Sequence, residues 1–585
     1  MNGSRLAALL VAASVSLALG AANAPQDART LKDLQARKVQ VRKDAPSDSN
    51  AGKAMENYRR FLELQKTDPA LRAEALRRLG DLSLESGELE RLESDVGRVD
   101  LGGAEAIRLY TLLLKAHPDY PRNDQVLYQL ARAYETTGQP EQSLATLDQI
   151  VKRFPKSSQI PEVQFRRGEL LFSAMKYGEA EKAYAEVTRP GAGEFYQQAL
   201  YKQGWSLFKQ NLNDESLPVF GKLLDLKLRD ARAPRGFRQP DTLPRADREI
   251  VEDTLRVMSV VFSYQDGVEP LNRFVTSMGS PPYSPLLYAR LGDLYVEKQR
   301  YQDAATTYRA FVGREPNNEY SPTLSTQAIE AYRKGGFAQL VLDGKREYVE
   351  NYNLGTSFWQ GRDKAKYPQI VSELKTHLTD LAAYHHSEAQ KHKRPEDYAQ
   401  AARWYRLQLA SFPQDSDSAQ VNFRLADVLF EGGQFGAAVD EYERSAYAYP
   451  LGPDSAKAGY AALSAYQKQE ALLPEAERAA WHARSVESGV KFAQTFPEHP
   501  DGNGVLTRAT EDLYKAGKLQ RAIEVAALLL ARNPPATAAQ RRIASSVTGQ
   551  ARFDLGEFAA AELRFGAAKD QKRVRISRTD GRPAS

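Results

Sequence analysis

The sequence predicts an all-α fold built as a solenoid of helix–turn–helix repeats, and three observations carry that prediction. Small residues and aromatics recur at fixed offsets along the chain. Adjacent units keep a near-constant spacing: Ala131 to Gly168 is 37 residues and Gly168 to Gly204 is 36. The second helix of many units stops at a proline, which cannot continue a helix.

The segment Pro285–Pro316 shows the pattern most clearly. Tyr288, Leu291, Gly292 and Tyr295 share one face of a first helix. Ala304, Tyr308 and Phe311 share a face of a second, which ends before Pro316. Glycine and alanine let the two helices approach, and the rings fill the space between. The offsets recur at Leu130, Ala131, Tyr134, Gly138, Leu147 and Pro155. They recur again at Leu425, Ala426, Leu429, Gly433, Ala438, Tyr442 and Pro450. Further copies run through Gly168–Tyr184, Gly204–Phe220, Leu513–Pro534 and Gly549–Phe565. An early unit at Leu79, Gly80 and Gly87 carries an insertion around Glu90–Gly103 before Ala106 and Tyr110.

Composition agrees with such a fold. Of 585 residues, 42% are hydrophobic and 26% charged, a globular balance. The net charge of +5, from 80 basic and 75 acidic residues, is close to neutral for this length. It supplies no basic stripe, so nucleic acid is not an expected partner. The chain has no cysteine, so the fold must stand on packing without disulfides.

Residues 1–24 read as a signal peptide. Arg5 precedes an uncharged apolar run from Leu6 to Gly20, followed by Ala22-Asn23-Ala24 as a cleavage site. That run is shorter than the roughly 20 residues of a spanning helix. With no cysteine to take a lipid, the expected location is the periplasm, with secretion as the other option. No later segment is long and apolar enough to span a membrane.

The expected organisation continues with a flexible charged leader at 25–50 and a repeat block at 51–227. An Arg/Pro-rich linker or loop, "LRDARAPRGFRQPDTLPRADR", follows at 228–248. A second repeat block covers 249–570, and a basic tail 571–585. Solenoid ends need a polar cap, and no amphipathic cap follows Ala568. Two readings stay open there: the array ends on a partner, or the natural chain continues.

Catalytic chemistry is not expected. The histidine cluster "YHHSEAQKH" places His385, His386, Glu388 and His392 together but lacks the four-residue zinc spacing, and it reads as an exposed polar turn. There is no G-x-S-x-G elbow, no phosphate-binding loop and no G-x-G-x-x-G, so neither a metal nor a small-molecule cofactor is expected.

On the offsets quoted above, the chain resembles the tetratricopeptide repeat family, over most of Ala51–Asp570. The resemblance implies a right-handed superhelix whose first helices line a concave groove for protein partners. In that family the second, fifth, ninth, twelfth and thirteenth repeat positions face the groove. Carried onto this chain, the candidate groove residues are Tyr128, Phe165, Glu169, Phe172, Tyr201, Trp205, Phe208, Phe423, Asp427 and Phe430. Glu162 and Glu431 extend the acidic rim. An aromatic stripe at helical spacing also fits a core, and the sequence leaves both roles open. The lysine–asparagine clamp by which some members grip a C-terminal carboxylate is absent: the corresponding positions hold Tyr128 and Arg132, Phe165 and Glu169, then Tyr201 and Trp205.

Val126–Ser157 and Val163–Val187 are similar in repeat style to Gram-negative envelope proteins. These include the outer-membrane assembly lipoprotein of the barrel-insertion machine and the coordinator proteins of the Tol–Pal system. The resemblance implies a non-enzymatic scaffold in a cell-envelope complex. Two alternatives accompany it: a repeat subunit of a polysaccharide export or synthesis system, and a murein-acting enzyme related to superhelical lytic transglycosylases with no recognisable catalytic domain.

Overall fold

The structure, a computed structural model, describes residues 50–93, 101–265, 267–564 and 566. The expected signal peptide, nearly all of the leader, the middle of the early insertion and the basic tail lie outside those residues. Among the described residues every regular element is a helix, and the one bridge between extended residues joins Arg229 to Phe237. The chain is an all-α array of paired helices.

It forms two compact units, residues 1–199 and 200–585. In the first, Pro69–Glu93 packs on Leu101–Ala116, Asn123–Thr136 on Pro140–Arg153, and Ile160–Ser173 on Tyr177–Thr188. In the second, the pairs include Ser284–Glu297 with Tyr301–Arg314, Ser418–Glu431 with Phe435–Tyr447, and Ser455–Leu472 with Glu475–Thr495.

The spacing of small and aromatic residues explains the pairing. A β-carbon added to Gly168 would sit 2.5 Å from Cε1 of Tyr184, and one added to Gly292 would overlap the Tyr308 ring. The second-helix ring therefore comes up against first-helix backbone. Tyr184 and Tyr308 are fully buried there. The closing prolines stand just past the last helical residue: Pro155 after Arg153, Pro316 after Arg314, Pro413 after Ser411.

Two backbone features fix the turns. Within a pair, one residue adopts left-handed φ, and the next amide bonds back to the first helix. Gly138 (φ 74°) does this, with Gln139 N donating to Tyr134 O at 2.7 Å. Met175 (φ 60°) and Gln299 (φ 59°) take the same role without being glycine. Between pairs, a buried polar residue opening the next helix reaches back to the preceding one. Ser321 Oγ donates to Glu315 O at 2.6 Å, and Ser418 Oγ to Phe412 O at 2.7 Å.

Residues 228–248 are folded within the second unit. Arg238 N donates to Leu228 O at 2.8 Å, and the Phe237 ring, 2% exposed, lies 6.1 Å from that of Tyr320. Arg235 pairs with Glu319 at 2.7 Å and Arg238 with Asp230 at 3.1 Å. The segment reads as a linker because its arginines and prolines look solvated. Its one phenylalanine anchors it, and Arg229, Arg235, Arg238 and Arg245 each pair with a carboxylate. The two units part between Ala199 and Leu200.

The histidine cluster also differs from the expected turn. It forms the last turns of a 25-residue helix, Pro368–His392. His386 is buried between Tyr405 (Nδ1 to Oη 3.3 Å) and Glu431 (Nε2 to Oε2 3.4 Å), and His385 stacks on Trp404. No set of three or more His, Cys, Asp or Glu residues that could hold a metal occurs among the described residues.

Candidate protein-binding groove

The groove candidates occur in both units, and each unit carries its own set. In the first, Tyr128 is 6% exposed and belongs to the core between neighbouring pairs. Its hydroxyl donates to Glu162 and accepts from Arg166 Nε at 2.9 Å. The Arg166 guanidinium lies 5.4 Å from the ring centre and also pairs with Glu135 at 3.2 Å. Burial raises the Tyr128 phenol well above its ordinary range.

Phe165 and Phe172 are half-buried. Phe165 stacks on Phe195 at 5.2 Å and meets Tyr184 edge-on at 5.9 Å, while Phe172 meets Tyr177 edge-on at 5.2 Å. Glu169 accepts the Tyr184 hydroxyl at 2.5 Å.

In the second unit, Tyr201, Trp205 and Phe208 are half-buried on one helix, Tyr196–Lys209. Asp253 gathers two of them: one carboxylate oxygen accepts from Tyr201 Oη at 2.7 Å and from Trp205 Nε1 at 3.1 Å. Trp205 packs edge-on against Phe208 at 5.6 Å, with Lys209 and Arg256 over its ring. Asp253 was not legible as a site residue, because it follows the candidates by about fifty positions on the next pair's first helix.

Phe423 and Phe430 are half-buried, and both pack on Tyr442, at 5.7 and 6.4 Å. Asp427 accepts the Tyr442 hydroxyl at 2.8 Å. Burial raises the Asp427 carboxyl, and the Tyr442 bond acts against that rise.

One device thus recurs. In Glu169–Tyr184, Asp293–Tyr308 and Asp427–Tyr442, the residue after the small position accepts from the second-helix tyrosine. Two of the four carboxylates expected as an acidic rim, Glu169 and Asp427, are therefore tied to buried tyrosines of their own pair. Glu162 is likewise tied to Tyr128. The rings beside them, Phe165, Phe172, Phe423 and Phe430, are half-exposed.

One more group continues the series. Tyr460 and Ser464 stand one repeat on from Phe423 and Asp427, on helix Ser455–Leu472. With Phe430, Tyr442, Lys457, Ala461 and His499 they line a pocket of about 380 Å³. The period could have found them, but the run of alanines in "AGYAALSAY" hides the register.

Paired helices, with a ring seated on a small residue and a left-handed turn inside each pair, define a helical-repeat protein. The tetratricopeptide repeat family model matches at residues 103–164, 198–226 and 286–318. The chain thus carries tetratricopeptide repeats at those residues, a kind of repeat that suggests a scaffold for protein–protein interaction.

Similar solved structures include a MamA double mutant, 15% identical, covering 37% of this chain and 94% of that one (TM-score 0.24). Naa15/Naa10 bound to HypK is 11% identical over 91% and 80% (TM-score 0.27). A tetratricopeptide repeat protein from Parabacteroides merdae is 16% identical over 51% and 98% (TM-score 0.23). No curated protein matches the chain.

Proposed function

We propose that this chain is a non-enzymatic scaffold that holds protein partners within a Gram-negative cell-envelope complex, working in the periplasm. The observation that supports the partner-holding role is the set of half-exposed rings on first helices. Phe165 and Phe172 belong to one unit, and Trp205, Phe208, Phe423 and Phe430 to the other. Rings of this kind are the usual anchors of protein interfaces. They keep exposed faces while the polar groups beside them are internally paired. The periplasmic location rests on the apolar run and A-x-A site in residues 1–24. No helix among the described residues is long and apolar enough to cross a membrane.

The test places a photo-reactive amino acid at Phe172 or Phe208 in the full chain, expressed in a Gram-negative host and fractionated. The reading expects the chain in the periplasmic fraction, crosslinked to a defined envelope protein. A chain retained in the cytoplasm, or one that crosslinks nothing from either position, would overturn it.

A further inference from the structure

The pocket around Tyr460 has a more specific chemistry than the rest of the candidate surface. Its walls are aromatic. Phe430 and Tyr442 come from one helix pair, Tyr460 from the first helix of the next, and His499 from the turn beyond it. His499 stacks on Tyr460 with centroids 5.2 Å apart, and Phe492 meets both rings from behind. Tyr460 is 39% exposed, so one part of its ring is anchored and another is open. A volume of about 380 Å³ lies at the small end of ligand clefts.

The polar part of the lining has one sign. No Asp, Glu, Asn or Gln lines the pocket, and its charged group is Lys457 at the rim. The Lys457 side chain is 71% exposed and pairs with Asp454 at 3.0 Å, a surface contact that a ligand anion can compete with. The Asp427 carboxylate, on the same helix as Phe430, is committed to Tyr442. His499 Nδ1 lies 3.8 Å from Asp501 Oδ2.

We infer that this pocket receives an aromatic side chain of a partner protein, with an acidic residue next to it reaching Lys457. The inference rests on the protein-holding reading above and deepens it. Ring edges and faces at these separations favour offset or edge-on insertion of a further ring. The absence of carboxylate and amide acceptors in the lining disfavours a sugar, whose hydroxyls need such partners. The charge at the rim selects a carboxylate over an ammonium.

The experiment uses the full chain and a fluorescein-labelled hexapeptide, Ser-Gly-Trp-Glu-Gly-Ser, read by fluorescence anisotropy. Replacing its Trp by Ala, or its Glu by Lys, is expected to weaken binding at least about tenfold, roughly 1.4 kcal/mol. Tyr460→Ala should do the same while the chain stays folded at 25 °C, and Tyr460→Phe should retain binding. Lys457→Glu should reverse the preference, so that the Lys-containing peptide binds better. Equal binding of all peptides overturns the inference, as does no binding at millimolar concentration or tighter binding of chitotetraose. The broader reading fails separately. A partner crosslinked from Phe172 or Phe208 but not from position 460 removes the pocket alone, whereas no partner from any position removes the scaffold.

Discussion

Tyr308 donates its hydroxyl to Asp293 at 2.8 Å, joining the two helices of one repeat behind the ring that sits on Gly292. The carboxylate is largely desolvated, which raises its pKa, while the tyrosine bond opposes the rise. Tyr308→Phe leaves that carboxylate without its donor. The expected loss is about 1–3 kcal/mol by chemical denaturation. A folded carboxyl held above its unfolded value binds protons first, so stability falls as pH rises from the unfolded value through the folded one. Tyr308→Phe should widen that window upward. The Asp293→Asn and Tyr308→Phe double cycle checks that the two residues act through each other.

The Gly292 contact gives a second prediction. Gly292→Ala puts a methyl into the Tyr308 ring, and helix propensity favours alanine by about 1 kcal/mol in a free helix. Here the clash dominates. The net change should be destabilising by about 1–3 kcal/mol in a thermal melt. A gain in melting temperature would show that the helices can part without cost.

His377 supplies a pH dependence. Its ring is 4% exposed, neither nitrogen has a hydrogen-bond partner, and Tyr348 packs edge-on at 4.8 Å. Burial first, then Lys345, lowers its pKa to about 4. The folded state holds the neutral ring, so the stability tied to it is whole above pH 6.5. It is lost as pH falls from 6.5 toward 4. The full loss is roughly 3 kcal/mol. Glu330, Glu373 and Asp380 face the ring and temper the loss. His377→Phe should flatten the difference between melts at pH 7 and pH 5, measured against the parent chain.

Met175 points to a stabilising change. It holds φ at 60° in the turn after Ile160–Ser173, with its side chain 74% exposed. That conformation costs a non-glycine residue about 1–2 kcal/mol, and little packing is lost with the side chain. Met175→Gly should raise stability by up to about 1 kcal/mol, after the extra freedom of glycine in the unfolded chain is counted.

The groove rings can be separated from core by a graded result. Fully buried phenylalanines cost roughly 3–5 kcal/mol on truncation to alanine. Phe165, Phe172 and Phe208 are half-buried, so each should cost less, about 1–2 kcal/mol. The triple alanine variant should stay folded at 25 °C and lose partner crosslinking. Loss of the folded signal would assign the rings to the core.

The fold was legible because packing leaves a periodic trace. Gly168, Gly292, Tyr184 and Tyr308 announce helix pairs by spacing alone. Partners distant along the chain leave no such trace. Asp253, which holds Tyr201 and Trp205 together, and Glu319, which receives Arg235, lie too far away to be read. The tyrosine partners of the expected acidic rim were hidden for a related reason. Glu169 and Asp427 occupy outward-looking register positions, yet each is drawn to a tyrosine on its second helix. The segment between Tyr352 and Pro368 has no repeat signature at all. It is fixed by Phe358 and Trp359, whose indole donates to Tyr352 O at 2.9 Å.

The serines that open successive pairs have a mechanical consequence. Ser321 and Ser418 clip the start of one pair to the last carbonyls of the pair before it, and these clips lie at the seams between pairs. Under tension along the second unit, such a chain gives way seam by seam. Each ruptured clip releases one pair while more distant pairs stay closed, because each pair contacts only its immediate neighbours. A pulling trace should therefore be a staircase with steps near one repeat length, and Ser418→Ala should lower the force of a single step.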